Sequence, residues 1–181
     1  MPANGADIPS MDILPLLERC VALERGAAEF YERLAARFTH DAELRALWSA
    51  MAADERTHAE KLETWRALAE REPAERREHA SGFAQDVEDL EQLLEETRAA
   101  AASVKSADEA FALALALETS EIDTIYTKLL QSSPIARFPD VEETVRRETT
   151  GHHEALARVV QRRSRDDGNL LRAALLCARD E

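Results

Sequence analysis

Glu24, Glu55, His58, Glu118, Glu121, Glu148 and His152 all interrupt stripes that are otherwise apolar at helical spacing. Glu24 lies between Val21 and Ala28, and Glu55 and His58 continue the series Leu44, Trp48, Met51 on to Leu62 and Trp65. Glu118 falls between Leu115 and Ile122, Glu121 stands one turn before Ile125, and Glu148 and His152 fall between Val145 and Leu156. A stripe that faces a core should be apolar, because an ionised carboxylate taken out of water without a partner costs several kcal/mol or more. Carboxylates gathered in one interior also repel each other, and that cost is relieved by protonation or by a bound cation of high charge. A metal pair is one such solution, with carboxylate oxygens suited to ferric iron and imidazole nitrogens favouring the ferrous state.

The spacing narrows the chemistry further. Carboxylate-bridged two-iron sites in helical bundles take a Glu from each of two helices and a Glu-x-x-His from each of the other two. Glu55-Arg56-Thr57-His58 supplies one such motif intact. Alone it is a frequent accident in a Glu-rich chain; the signal is that each stripe carries an acidic exception and two add a His. The competing reading is that, among 36 acidic residues, some of these are boundary positions that reach solvent. Tyr31 and Tyr126 are read either as hydroxyls that orient ligand carboxylates or as core residues with a satisfied hydroxyl. His40 and His79 fall in connecting segments, and His153 points about 100° around the helix from His152, so all three are expected to face solvent. Trp48 and Trp65 are expected to be packing anchors.

These residues need helices to position them. Apolar positions recur at three- and four-residue steps from Met11 to Phe38, then from a cap at Thr39 or Asp41 through Trp65, with Pro73 just beyond. A charged connection, Arg71 to Ala107, contains a short amphipathic stretch through Val87, Leu90, Leu93 and Leu94. A third helix is expected from Phe111 through Ile122, Ile125 and Leu129 to a stop before Ser132, Ser133 and Pro134, and a fourth from about Pro139 through Val159. Two hairpins joined by one long crossover give an all-α, ferritin-like four-helix bundle. The chain reads as a single domain over 1–181, with a core bundle over about 11–162 and a tail over 163–181 that could form a short extra helix.

Composition agrees and excludes. Only 5 glycines, 6 prolines and 5% aromatic residues disfavour a many-stranded fold. A formal charge of −13 repels phosphate backbones and anionic membranes, so nucleic acid is excluded as a partner. Cys20 and Cys177 are too few for a four-cysteine metal site and are expected to be reduced thiols. No stretch approaches the roughly 20 apolar residues of a membrane span, and Met1–Ser10 lacks a secretion signal, so a cytoplasmic location is expected.

Three segments carry a resemblance. ALERGAAEFYERLA, with Glu24 and Tyr31, MAADERTHAEKL, and LALETSEIDTIYTKLL, with Glu118, Glu121 and Tyr126, look like the helix signatures of the rubrerythrins, including the short ferritin-domain members of that family. The likeness covers roughly residues 11–160, and no rubredoxin-like cysteine module follows. By resemblance the chain is a non-haem di-iron oxidoreductase that reduces hydrogen peroxide. Glu55 would bridge two iron ions, Glu24 and Glu118 would be terminal or chelating ligands, and Glu121 would exchange with His58 as the iron changes oxidation state. Electrons would come from a separate rubredoxin or flavoprotein reductase, and the expected assembly is a homodimer. The alternatives are iron oxidation or storage with dioxygen, without peroxide turnover, and a helical interaction protein with a degenerate site. The fourth helix, RRETTGHHEAL, departs from the family: Thr149 stands where a second bridging glutamate is expected three residues before His152. Glu148, four residues before His152, shares its helix face and could substitute through a local change of register; otherwise the site lacks one bridge.

Overall fold

The computed structural model describes residues 13–71, 83–120 and 139–178, though not the side chains of 83–84 and 139–150. Every regular element among the described residues is an α-helix: α1 (Ile13–Arg37), α2 (Ala42–Ala69), α3 (Phe83–Ala101), α4 (Ala107–Thr119), α5 (Pro139–Arg163) and α6 (Asp167–Ala178). Over the described residues the protein is all-α. None of these helices is long and apolar enough to cross a membrane.

The first two helices form the most extensive pairing among the described elements. Asp41 makes the turn between them: its backbone is extended (φ −115, ψ 99), and its Oδ1 accepts a hydrogen bond from Leu44 N at 3.1 Å. That satisfies one of the amides a helix start leaves open. Leu34, Leu44, Trp48 and Met51 are buried in the hairpin, and Trp48 stacks on Tyr31 with ring centroids 6.0 Å apart and planes 10° from parallel. Both tryptophans are buried, as expected of packing anchors.

In the crossover the short amphipathic stretch is a helix of 19 residues, α3, whose Val87, Leu90 and Leu94 are buried beside α1. Gly26 permits the close approach, since a Cβ there would lie 2.6 Å from Leu94 Cδ2. Arg19 on α1 then grips both carboxylate oxygens of Glu91 at 2.8 Å each.

At the start of α4, Ser106 Oγ accepts from Glu109 N at 3.2 Å, while Glu109 reaches back to accept from Lys105 N at 2.7 Å. This is close to a reciprocal capping box. The helix expected to run on to Leu129 ends at Thr119, and Ser120 leaves helical geometry with ψ 159. Two hydroxyls mark the break: Thr119 Oγ1 donates to Leu115 O at 2.5 Å, and Ser120 Oγ donates to Leu117 O. Side-chain bonds of this kind compete with the backbone ladder for carbonyls of the last turn.

Basic residues in the last turn of α5 meet the acidic first turn of α2. Arg162 and Arg163 bind Glu43 at 2.7 and 2.8 Å, and Arg163 also binds Asp41. Each set of charges opposes its own helix dipole, so the pairing suits both ends. The tail forms α6, capped by Asp166 Oδ1 accepting from Asn169 N at 2.8 Å, and packs on α4 and α5 through Ala173 and Leu176. A continuous cluster of buried apolar side chains joins all six helices.

Candidate metal centre

Polar groups collect inside this apolar cluster at one place. Glu24 of α1, Glu55 of α2, Glu118 of α4, and His152 and His153 of α5 are all buried, and His58 of α2 is nearly so, its side chain 13% exposed. Their donor atoms fall into two groups, Glu24–Glu55–His58 and Glu55–Glu118–His152, and within each the atoms lie within 4.8 Å of one another. Glu55 belongs to both. His58 Nδ1 is 3.1 Å from Glu55 Oε2 and 3.7 Å from Glu24 Oε2; His152 Nε2 is 3.4 Å from Glu55 Oε1 and 3.2 Å from Glu118 Oε1. Two ligands on one ion, with bonds of about 2.1 Å, stand roughly 3.0–3.4 Å apart in octahedral or tetrahedral geometry. Three of the four spacings lie in that range, and the His58–Glu24 separation is a few tenths of an ångström wider.

The surrounding contacts hold these groups in place. The Tyr31 hydroxyl, fully buried beneath Trp48, donates to Glu118 Oε1. His152 directs its other nitrogen, Nδ1, at Asp54 Oδ2, 3.3 Å away, so Nε2 faces the two carboxylates. A carboxylate on the remote nitrogen fixes the orientation of an imidazole that ligates metal. Glu24 Oε2 and His152 Nε2 are buried without a hydrogen bond among the described residues, which is a cost in a folded interior unless something else satisfies them.

Electrostatics give the same picture. Burial pushes the Glu55 carboxyl up to about 8, against the pull of His152 and the hydrogen bond from His58. Burial would lower His58, but the nearby carboxylates of Glu24 and Glu55, the latter within hydrogen-bond distance, outweigh it and hold the imidazole at about 10. His152 likewise resists burial and stays well above its ordinary value beside Glu118 and Glu55. Glu118, raised by burial alone, is held well below the usual carboxylate range by His152 and His153. Without an ion, these shifts favour protons on His58, His152 and Glu55 at neutral pH, and a divalent cation would displace them. Oxygen and imidazole donors of this kind fit first-row divalent ions, iron among them.

Of the residues singled out from the sequence, Glu24, Glu55, His58, Glu118, His152 and Tyr31 come together. Glu121 and Tyr126 lie outside the described residues, as does His79, and Glu148 and Thr149 belong to α5 in the stretch whose side chains are not described. His40 is exposed, as expected. His153 is a correction: it is 3% exposed, not solvent-facing, and its Nε2 lies 3.4 Å from Glu118 Oε2. Its own stripe, Ala157 and Val160, is apolar and buried, and that was the available signal. Asp54 was also missed; it directly precedes the Glu-x-x-His motif, but its partner is 98 residues away. Cys20 is buried, its thiol pushed up to about 12 by burial and the charge of Glu24, which leaves it unreactive. No family model, no curated protein and no solved structure matches this chain.

Proposed function

We propose that α1, α2, α4 and α5 form a ferritin-like four-helix bundle whose centre holds two iron ions, and that the protein is a rubrerythrin-like, cytoplasmic di-iron oxidoreductase acting on hydrogen peroxide. The observation that carries the reading is the pair of buried carboxylate–histidine groups sharing Glu55, with each of the four helices contributing. Bound as a reduced pair, the iron would supply the two electrons that, with two protons, convert peroxide to water. In this reading Glu24 and His58 would hold one ion, Glu118 and His152 would hold the other, and Glu55 would contribute to both. Tyr31 fixes the Glu118 carboxylate through its hydroxyl, Asp54 orients His152, and the apolar cluster limits the access of bulk water. A rubredoxin or flavoprotein reductase would return the electrons.

Anaerobic loading with Fe²⁺ followed by elemental analysis tests the centre, with about two ions per chain expected from the two groups. Folded protein that retains none overturns the reading and leaves a helical interaction protein. Stopped-flow oxidation then tests the reaction: the reduced protein should react much faster with peroxide than with dioxygen, and Glu121→Ala should slow the peroxide reaction while leaving iron bound. A second reading, iron oxidation or storage with dioxygen, needs only the two carboxylate–histidine groups that the described residues supply. Equal rates with the two oxidants, or no effect of Glu121→Ala, select it.

A further inference from the structure

His153 is adjacent to a proposed ligand yet belongs to neither donor group. Its ring centroid is 6.1 Å from that of His152, with the planes 68° apart, so the two imidazoles approach the Glu118 carboxylate from different directions. Tyr31 donates to Oε1 and His152 Nε2 lies 3.2 Å from it, while His153 Nε2 lies within ion-pair distance of Oε2, at 3.4 Å. The carboxylate is therefore bracketed on both oxygens within an interior where Glu118 is 8% and His153 3% exposed. A glutamate with both oxygens free can rotate and chelate through either or both. Once one oxygen is engaged by a neighbouring N–H, the other remains as the single donor in a fixed direction.

We infer that His153 is a positioning residue that holds Glu118 Oε2 and so presents Glu118 Oε1, together with His152 and Glu55, to the second ion. The inference rests on the two-ion reading above. It assigns to His153 a task that a ligand cannot perform, because a nitrogen that coordinates the ion cannot also donate its proton to the carboxylate. It also supplies part of the order that a second bridging glutamate, replaced in sequence by Thr149, would otherwise give to this side of the centre.

The test uses Co²⁺ alone as the probe, titrated anaerobically into the full-length wild type, His153→Ala and His153→Gln, followed by calorimetry and by the visible d–d spectrum. The wild type should take up two ions. His153→Ala should bind the first ion unchanged and the second roughly 10- to 100-fold more weakly, with an altered second-ion spectrum, the usual cost of losing a partner that orients a ligand. His153→Gln, whose amide can still donate to Oε2, should recover most of the loss. Independently of any variant's stability, the ¹⁵N-histidine spectrum of Zn²⁺-loaded wild type should show a protonated Nε2 on His153 and a metal-bound Nε2 on His152. Two-ion binding unchanged in His153→Ala overturns the inference while leaving the two-ion reading intact. So does a His153 Nε2 that carries metal, which would make the residue a ligand. Wild type that takes up no Co²⁺ overturns the two-ion reading itself.

Discussion

The two halves of the centre are built in different ways. The Glu24–Glu55–His58 half comes from a single hairpin, with Glu55 and His58 one turn apart on α2 and their contact made within the helix. The Glu55–Glu118–His152 half draws on three helices, and its supports, Tyr31 and Asp54, contact residues 87 and 98 positions away. The hairpin half therefore forms whenever α1 meets α2, whereas the other half requires α4 and α5 to be docked as well. The hairpin half is also the more open, since the His58 side chain is 13% exposed and that of His152 is 4%. Local construction gives robustness and access; long-range construction gives a drier site that depends on the whole fold.

The comparison fails first at Glu55, the residue both halves share. Glu55→Ala should reduce Fe²⁺ uptake from two ions per chain to near zero in protein that stays folded by circular dichroism; retention of one tightly bound ion would show that the halves do not share this carboxylate. Glu118→Ala should act on one half only. Elemental analysis after anaerobic loading should then find close to one ion per chain, and His58→Ala should give the mirror result by losing the hairpin ion. Loss of both ions in Glu118→Ala would mean that the hairpin half cannot stand alone.

Acidity sharpens the contrast between the protein without ions and with them. The folded ion-free protein holds the His58 proton to about 10 against an ordinary 6.5, so this stabilisation is complete below pH 6.5 and is lost as pH rises through 10. Glu55, raised to about 8 from 4.5, acts in the same direction, because ionising it in the interior penalises the folded state from pH 4.5 upward. Glu118 is depressed, so its contribution is present above 4.5 and is lost as pH falls. The melting temperature without metal should therefore peak between about pH 4.5 and 6.5 and fall by several degrees towards pH 9. The loaded protein should lack that alkaline decline, because the ions have already displaced the protons. Parallel pH profiles with and without metal would break the argument.

The smallest expected effect belongs to Asp54, half-exposed and acting only through His152. Asp54→Ala should weaken the second ion by roughly tenfold, near the low end for loss of such a partner, and leave the first unchanged. A Co²⁺ titration resolved into two steps measures it, and equal weakening of both steps would contradict the assignment of Asp54 to one half.

Much of the hairpin half was legible in the amino-acid sequence. Periodicity and composition determined that the chain is helical, that Asp41 could start α2, and that Glu24, Glu55 and His58 lie in apolar stripes. A three-residue step along a helix returns to nearly the same face whatever surrounds it, so the contact between Glu55 and His58 is encoded locally. The same rule gives only relative angles, and the width of a buried sector depends on which helices pack against it. His153, about 100° from His152, was placed in solvent by angle alone. It is buried because the docked face of α5 is wide enough to include Ala157 and Val160 as well as Leu156. The end of α4 at Thr119 was likewise hidden, since the apolar stepping continues past Ser120 although the Ser120 backbone turns extended there. The sequence by itself therefore determined which faces carry carboxylates and imidazoles. Tertiary packing alone decided that two groups would share Glu55 and that Asp54, Tyr31 and His153 would lie against them, because those distances arise between helices that no local periodicity relates.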